Sequence, residues 1–431
     1  MKKLNLKNID FTLVFLIALS IINILGVITG TSIIRYVTLI GFLFITLIAK
    51  EEKIIPVLLF LHPNSGLYDD IEFKYLFNIV LLIIAMKYLL FFRYKMPKRS
   101  ILTFAVIAMM EVILCLISEY ASISGMLPLV SWISSYIILI VVSNNLKKIN
   151  FATIYKYFFL GFVMAFICGW IYPILQWGLD IPTAYRFIGL LRDPNYYCCD
   201  ALLLIFSAST YAKFTKKSKY LYLLGAIIMG ICSVSKTFIL ILMVGFIFKR
   251  ITNIKRMNLK SDLAIIFVSV IALYIGFQQG LIDLFINKYL YRAQTTSLLT
   301  GRDYLWSFYF QSIFNSPKNL FIGNSLTYYA DILNPGINNS FFASFIAHNT
   351  YLDVVVSWGV IGVVLYLFFI KSIFKNCDFQ VKEYVKNCDF ISIVFVFLLS
   401  LMVLSYLGVD AFAIIILYIV IFKYSLSTIK E

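Results

Sequence analysis

Charge is scarce in this chain. Only 13% of its 431 residues are Asp, Glu, Lys or Arg, and it has two histidines, His62 and His348. Set against 61% hydrophobic residues, that scarcity excludes an ordinary soluble fold, since one core of this size could not hide so much apolar surface. Clustered cysteines are lacking too. Cys115, Cys168 and Cys232 lie in apolar runs, Cys377 and Cys388 in a basic loop, and Cys198 and Cys199 side by side. With no CxxC, neither a structural disulfide nor a metal site is expected, and no cofactor is implied. Asp69, Asp70 and Glu72 gather near His62, which reads as a turn residue, but no complementary ligand set accompanies them. Internal repeats, low-complexity tracts and long linkers are missing, so residues 1–431 read as one polytopic domain.

What the chain does have is long apolar runs. Clear spans fall at 11–30, 33–49, 74–92, 100–119, 128–143, 152–173, 196–212, 219–235, 263–280, 346–370, 391–408 and 411–426. Their lengths suit helices crossing a bilayer rather than barrel strands, which alternate over about ten residues. Two further runs, 54–61 and 237–248, are too short to cross unaided and are expected to be tilted, extended into neighbours, or re-entrant. The fold expected is an all-α polytopic integral membrane protein with about 12, and up to 14, transmembrane helices. Lys2, Lys3 and Lys7 before the first run resemble a signal peptide, but the many later runs favour a retained helix.

The net charge of +16 is distributed as short basic clusters between apolar runs: Arg93 to Arg99, Lys213 to Lys219, Lys249 to Lys260 and Lys371 to Lys386. This is the positive-inside pattern, so the charge sets topology and no nucleic-acid partner is expected. An even number of spans puts both termini in the cytoplasm. The external loops then include a turn near Arg35, a medium loop at 174–195, a brief turn near Ser235 and Lys236, and one long polar stretch at 281–345.

That long stretch is where a water-facing reaction can be housed. Residues 281–299 have partial helical spacing and predict an interfacial amphipathic helix. Thr300 followed by Asp303 resembles a capping box, and Asn315-Ser316-Pro317 is a stop signal. Arg302 then falls in a first helical turn, where a guanidinium beside unsatisfied backbone N–H groups suits a phosphate or diphosphate. Neutralisation of Asp303 is the plainer alternative. His348 opens the next apolar run, at an interface where small effects move its protonation through neutrality. It is placed to act as a general base, or simply to hydrogen-bond loop backbone. In the medium loop, Arg186 and Arg192 suggest an anionic ligand, with Arg192 better read as a partner of Asp193. Lys236 adds a further cation. Glu111 sits mid-span and needs a proton or a partner, while Lys87 and Lys156 are expected to snorkel.

Taken in order, these residues resemble the O-antigen ligase/polymerase superfamily, the Wzy-type polymerases and their ligase relatives. The first matching stretch is Arg186, Gly189, Pro194 and Asn195; the second is Ser233, Ser235 and Lys236. The third is Gly301, Arg302 and Trp306, and the fourth Asn315, Pro317, Gly323 and Asn324. The last is His348, Asn349, Tyr351 and Leu352 leading to Trp358, Gly359 and Gly362. The match covers residues 180–370 by motif and the rest by hydropathy alone. Members often carry Arg where this chain has Lys236, and Arg192 lies outside the pattern.

The resemblance implies a GT-C-like fold and a metal-independent, inverting glycosyltransferase in a bacterial cell membrane. Its substrate would be a polyprenyl-diphosphate-linked oligosaccharide, joined into capsule, exopolysaccharide or O-antigen on the periplasmic or extracellular face. Arg186 and Arg302 would hold the diphosphate and His348 would orient or deprotonate the acceptor hydroxyl. Lys236, Asn195, Asn349, Tyr351 and Trp306 would help bind substrate, and a chain-length regulator is a possible partner. The alternatives are a ligase that moves finished glycan to another acceptor, or a lipid-linked glycan flippase.

Overall fold

The computed structural model describes residues 10–65, 76–92, 94, 96–117, 123–178, 187, 194–211, 213–252, 302–325, 348–376, 388–404 and 411–427. Among them there is no strand. The helices are α1 (Phe11–Ile28), α2 (Ser32–Ile48), α3 (Glu51–Leu61), α4 (Leu76–Met86), α5 (Lys98–Ile117), α6 (Ile123–Ser143), α7 (Phe151–Trp177) and α8 (Pro194–Thr210). They continue with α9 (Lys216–Cys232), α10 (Lys236–Thr252), α11 (Arg302–Phe314), α12 (Pro317–Phe321), α13 (Thr350–Asn376), α14 (Cys388–Leu401) and α15 (Ala411–Ser427). The described residues are all-α, and among them four helices are long and apolar enough to cross a membrane: Phe11–Ile28, Lys98–Ile117, Phe151–Trp177 and Thr350–Lys375. Shorter apolar helices accompany them. The run at 263–280 and the interfacial helix expected at 281–299 lie outside the described residues.

The first two helices form a hairpin whose outer faces stay exposed, with Phe11, Ile33 and Phe44 among the uncovered side chains. Arg35 is not in the turn between them, as expected, but buried one helical turn into α2 against Gly26. Its long stem packs there while the turn itself is made by Thr29 to Thr31. Lys87 does more than snorkel: its ammonium donates to the carbonyls of Thr46 at 3.1 Å, Leu47 at 2.6 Å and Ala49 at 2.8 Å. These carbonyls at the end of α2 have no intrahelical partners, so the lysine caps that helix from outside.

Asp10 caps α1 and joins three elements. It accepts from the Leu13 amide, pairs with Lys53 of α3, and accepts from the Tyr157 hydroxyl of α7 at 2.9 Å. Burial opposes its charge, yet the Lys53 ammonium and the two other donors outweigh that and hold the carboxyl below its usual range. A lowered folded-state pKa means the contribution is complete above the unfolded value near 3.9 and is lost as pH falls through the folded one. Asp10→Asn keeps a capping oxygen but loses the Lys53 ion pair, so it should lower stability by up to about 1 kcal/mol at neutral pH, measured as thermal unfolding in detergent. The difference from the parent protein should shrink on acidification below about pH 4.

The short run at 54–61 becomes α3, whose residues Ile54 to Leu61 are buried on every side. Eleven residues rise only about 16 Å, half a bilayer core, so α3 is a half-helix enclosed by protein. It stops in a 3-10 turn at His62–Asn64, where the Asn64 amide donates to the carbonyls of Phe60 at 2.9 Å and Gly161 at 3.0 Å. The backbones of α3 and α7 meet so closely here that a Cβ on Gly161 would lie 2.2 Å from the Phe60 oxygen. The other short run is no half-helix: α10 has 17 residues, extending past 237–248 at both ends. α8 and α15 are covered almost all round and form the middle of the bundle.

Within the long polar stretch, α11 ends before Asn315 and Ser316 as the stop signal predicts, but the helix restarts at once. Ser316 caps α12 by accepting from the Asn319 amide at 3.1 Å, and Pro317 takes the first position, where its missing N–H costs nothing.

Candidate functional site

Two docked groups of side chains are formed by described residues of the five stretches singled out in the sequence. The first group joins α8 to the turn between α9 and α10. The Ser235 hydroxyl donates to Asn195 Oδ1 at 3.0 Å and accepts from the Phe238 amide at 3.3 Å, so it both caps α10 and holds the start of α8. Ser233 donates to the Gly230 carbonyl at 2.6 Å and lies 2.9 Å from the Cys198 thiol. Between the two serines, Val234 has φ 51°, a left-handed conformation that costs a β-branched residue about 1–3 kcal/mol. The buried serines on either side maintain it. Lys236 follows immediately as the first residue of α10, half-buried.

The second group is built on α13. This helix is not the continuous span the sequence suggests: Gly359 breaks it with φ 59° and ψ −170°. The break exposes carbonyls that would otherwise be used within the helix. The amide of Asn324 donates to the Val356 carbonyl at 2.9 Å, and that of Ser325 to the Ser357 carbonyl at 2.8 Å. Glycine is required at the break, because a Cβ on Gly359 would lie 2.3 Å from the Phe321 carbonyl carbon and 2.5 Å from the Ile322 nitrogen. The Gly-Asn and Trp-Gly motifs are thus two sides of one contact.

Glu111 lies beneath it, wholly buried on α5. Its Oε2 accepts from the Trp358 indole N–H at 2.7 Å, and its Oε1 from the Ser325 hydroxyl at 2.7 Å and the Cys115 thiol at 3.2 Å. The partner that a mid-span Glu needs is therefore the joint between loop and helix. Glu111→Gln keeps one acceptor oxygen but offers a donor where Trp358 or Ser325 also donates. It should cost about 1–3 kcal/mol, read as a lower melting temperature in detergent.

Farther along this face, Tyr309 and Ile313 of α11 pack against Leu352 and Val356 of α13, with Trp306 and Leu320 at the edge. The helix that Arg302 begins is thereby fixed to the helix that His348 precedes. His348 itself is not helical, contrary to expectation. It has φ 48° and is half-buried, and α13 begins at Thr350. The reason is capping: the Asn349 carboxamide accepts from the amides of Tyr351 at 3.1 Å and Leu352 at 3.3 Å, so the chain must turn at His348 to enter the cap. The Thr350 hydroxyl donates to the Leu404 carbonyl, and the Tyr351 hydroxyl to that of Leu398 at 2.9 Å. Asn349 and Tyr351, expected to bind substrate, hold the helix start in place through these bonds. The Arg302 side chain and Arg186 lie outside the described residues, as do Gly189 and Arg192.

An apolar cavity of about 340 Å³ begins at Thr350 and Tyr351, next to His348, and runs between α13, α14 and α15. Its walls include Val354, Leu367, Phe374, Phe397, Leu401 and Ile416. Leu367 and Leu398 are 62% and 45% exposed, so the cavity opens sideways.

Two buried carboxylates and one buried hydroxyl are missing from the residues that the sequence marks for the site. Asp353, in the first turn of α13, is 1% exposed and was legible only as part of a polar run. Ser325, which bonds Glu111, carried no signal at all. Asp200 is wholly buried on α8 beside His62, and an acidic residue inside the run 196–212 was a usable sign. Glu111 had been singled out, but not what it holds. No protein-family model matches the chain, and no curated protein is significantly similar to it.

Proposed function

We propose that this protein is a glycosyltransferase that joins polyprenyl-diphosphate-linked oligosaccharides into a surface polysaccharide. The observation that carries the proposal is the apolar cavity beginning beside His348. Its lining on α13 runs from Thr350 to Phe374 across the Gly359 break, at most about 36 Å, which is comparable to the depth of a bilayer core. A long isoprenoid tail fits such a groove, and its head would then lie at the His348 end. A water-soluble sugar donor would need no such groove. The O-antigen ligase/polymerase resemblance supplies the reaction class, with a GT-C-like arrangement of 12 to 14 spans in a bacterial cell membrane and the site on its outer face.

In this reading His348 takes the proton of the acceptor hydroxyl as that oxygen attacks the anomeric carbon. The bond to the diphosphate breaks on the opposite side, so the configuration inverts. Arg186 and Arg302 hold the departing diphosphate and stabilise the charge it gains. Trp306, Asn195 and Lys236 line the approach. The arginines and histidine are asked to act as one unit drawn from three segments, two of which are already fixed to each other through α11 and α13.

The test uses purified protein in liposomes with a polyprenyl-diphosphate-linked repeat unit, scored for glycan length. Chains that grow by whole units are expected. Single transfer to a different lipid acceptor would make the protein a ligase. Movement of intact lipid-linked glycan across the bilayer, with no new glycosidic bond, would overturn the enzymatic proposal.

A further inference from the structure

The His62–Asp200 pair takes no part in the proposed transfer. His62 ends the half-helix α3 and Asp200 lies on α8; their side chains are 2% and 0% exposed, with Nε2 3.2 Å from Oδ1. The second polar atom of each group, His62 Nδ1 and Asp200 Oδ2, is also buried and has no hydrogen-bond partner. The hydroxyl of Tyr197, one turn earlier on α8, is buried and unpartnered as well. Around the imidazole stand the rings of Phe77 from α4 and Phe158 from α7, with centroids 6.2 and 6.0 Å away. The titratable groups that sense Asp200 electrostatically are Tyr197 of α8 and Tyr418 of α15. Its ion-pair partner is His62.

A net charge is costly in such surroundings, so the net-neutral states of the pair are favoured. Two of these keep the shared proton in the bridge, imidazolium with carboxylate and Nδ1–H imidazole with carboxylic acid. They differ only in which side of the Nε2···Oδ1 bridge holds one proton, and in both of them Nδ1 carries a hydrogen. An alkali or divalent cation suits the place poorly, because such ions need several oxygen ligands. Here one unpartnered carboxylate oxygen faces a nitrogen heterocycle.

We propose that His62 and Asp200 form an intramembrane one-proton site, in which a single proton is shared across the bridge. A second proton can arrive at Oδ2 as the bridging one shifts to Nε2 and the Nδ1 proton leaves, so the pair passes a proton without a net charge before or after. The bridge also ties the end of α3 to α8, five residues from Asn195 and hence about 7.5 Å along that helix. Its state would thus be felt at the Asn195–Ser235 junction. This inference does not rest on glycosyl transfer.

With two histidines in the chain, nitrogen-15 histidine labelling of the full-length protein in detergent gives two ring systems, and His348→Asn assigns them. The expected result at neutral pH is a protonated Nδ1 on His62. Its Nε2 shift should fall between the protonated and unprotonated limits and move to a limit in Asp200→Asn. The His62 ring protons should exchange with deuterium more slowly than those of His348. An unprotonated Nδ1 in the parent protein would overturn the proposal, as would an Nε2 at either limit or exchange as fast as at His348. The parent spectrum alone decides the matter if Asp200→Asn does not fold.

Discussion

Replacing His348 with alanine should slow glycan transfer by about 10²- to 10⁴-fold, the range for removal of a positioned general base. The fold should survive, because His348 precedes the helix and the capping of α13 is done by Asn349. Alanine is less at ease than histidine at φ 48°, so His348→Asn is the better-controlled variant: asparagine tolerates the left-handed region but supplies no base at neutral pH. Arg302→Ala should lower the rate by about 10²- to 10³-fold, as for loss of one group that stabilises a developing anion. Arg186→Ala should do the same. Because the three groups act on one transition state, the double variant Arg302→Ala with His348→Asn should fall well short of the product of the single effects. Single-turnover rates with the lipid-linked unit, alongside gel filtration of each variant, check these outcomes. Full activity in properly folded Arg302→Ala and His348→Asn proteins would sink the mechanism.

Gly359→Ala should be among the most destabilising single changes in the chain, by about 4 kcal/mol. Two effects combine there. A non-glycine residue held at left-handed φ costs about 1–3 kcal/mol, and forcing a methyl group into packed surroundings costs about as much again. The surroundings cannot yield cheaply, since the nearest atoms are backbone: the Phe321 carbonyl carbon at 2.3 Å and the Ile322 nitrogen at 2.5 Å. The methyl would push residues 321–325 off α13, removing the two backbone hydrogen bonds at Val356 and Ser357 and leaving Glu111 without the Ser325 hydroxyl. Thermal unfolding in detergent should report the loss. Activity should fall as well, because α12 and the start of α13 would separate. A melting temperature equal to that of the parent protein would mean the contact does not hold the loop.

The helices were legible because apolar runs and basic clusters alternate, and both signals survive without knowledge of neighbours. Helix bounds moved by a few residues, as at α10, where the run 237–248 gained a turn from Lys249 to Thr252 that hydropathy discounts. The stop at Asn315 was visible because Asn, Ser and Pro act locally. What stayed hidden depends on partners far along the chain. Glu111 looked like an isolated cost, and besides the nearby Cys115 thiol its donors come from 214 and 247 residues away. The break at Gly359 was invisible because glycine is common within apolar helices and only the approach of residues 321–322 gives it meaning. His62 was placed in a turn correctly, yet its partner lies 138 residues on. Of the expected site, Asn195, Ser235, Lys236, Trp306, His348, Asn349 and Tyr351 can be placed, and their packing shows which also hold the scaffold.

The half-helix α3 bears on how the chain is made. A segment of about 16 Å with no face left for lipid has no reason to leave the insertion machinery by itself, because partition into the bilayer rewards spans that reach across. The group that completes it, the Gly161 carbonyl taking the Asn64 amide, is synthesised 97 residues later. α3 must therefore wait, held between α2 and α4, until α7 emerges and closes over it. Nascent chains stopped before residue 161 should leave α3 open to aqueous cysteine-labelling reagents, and chains extended past α7 should protect it.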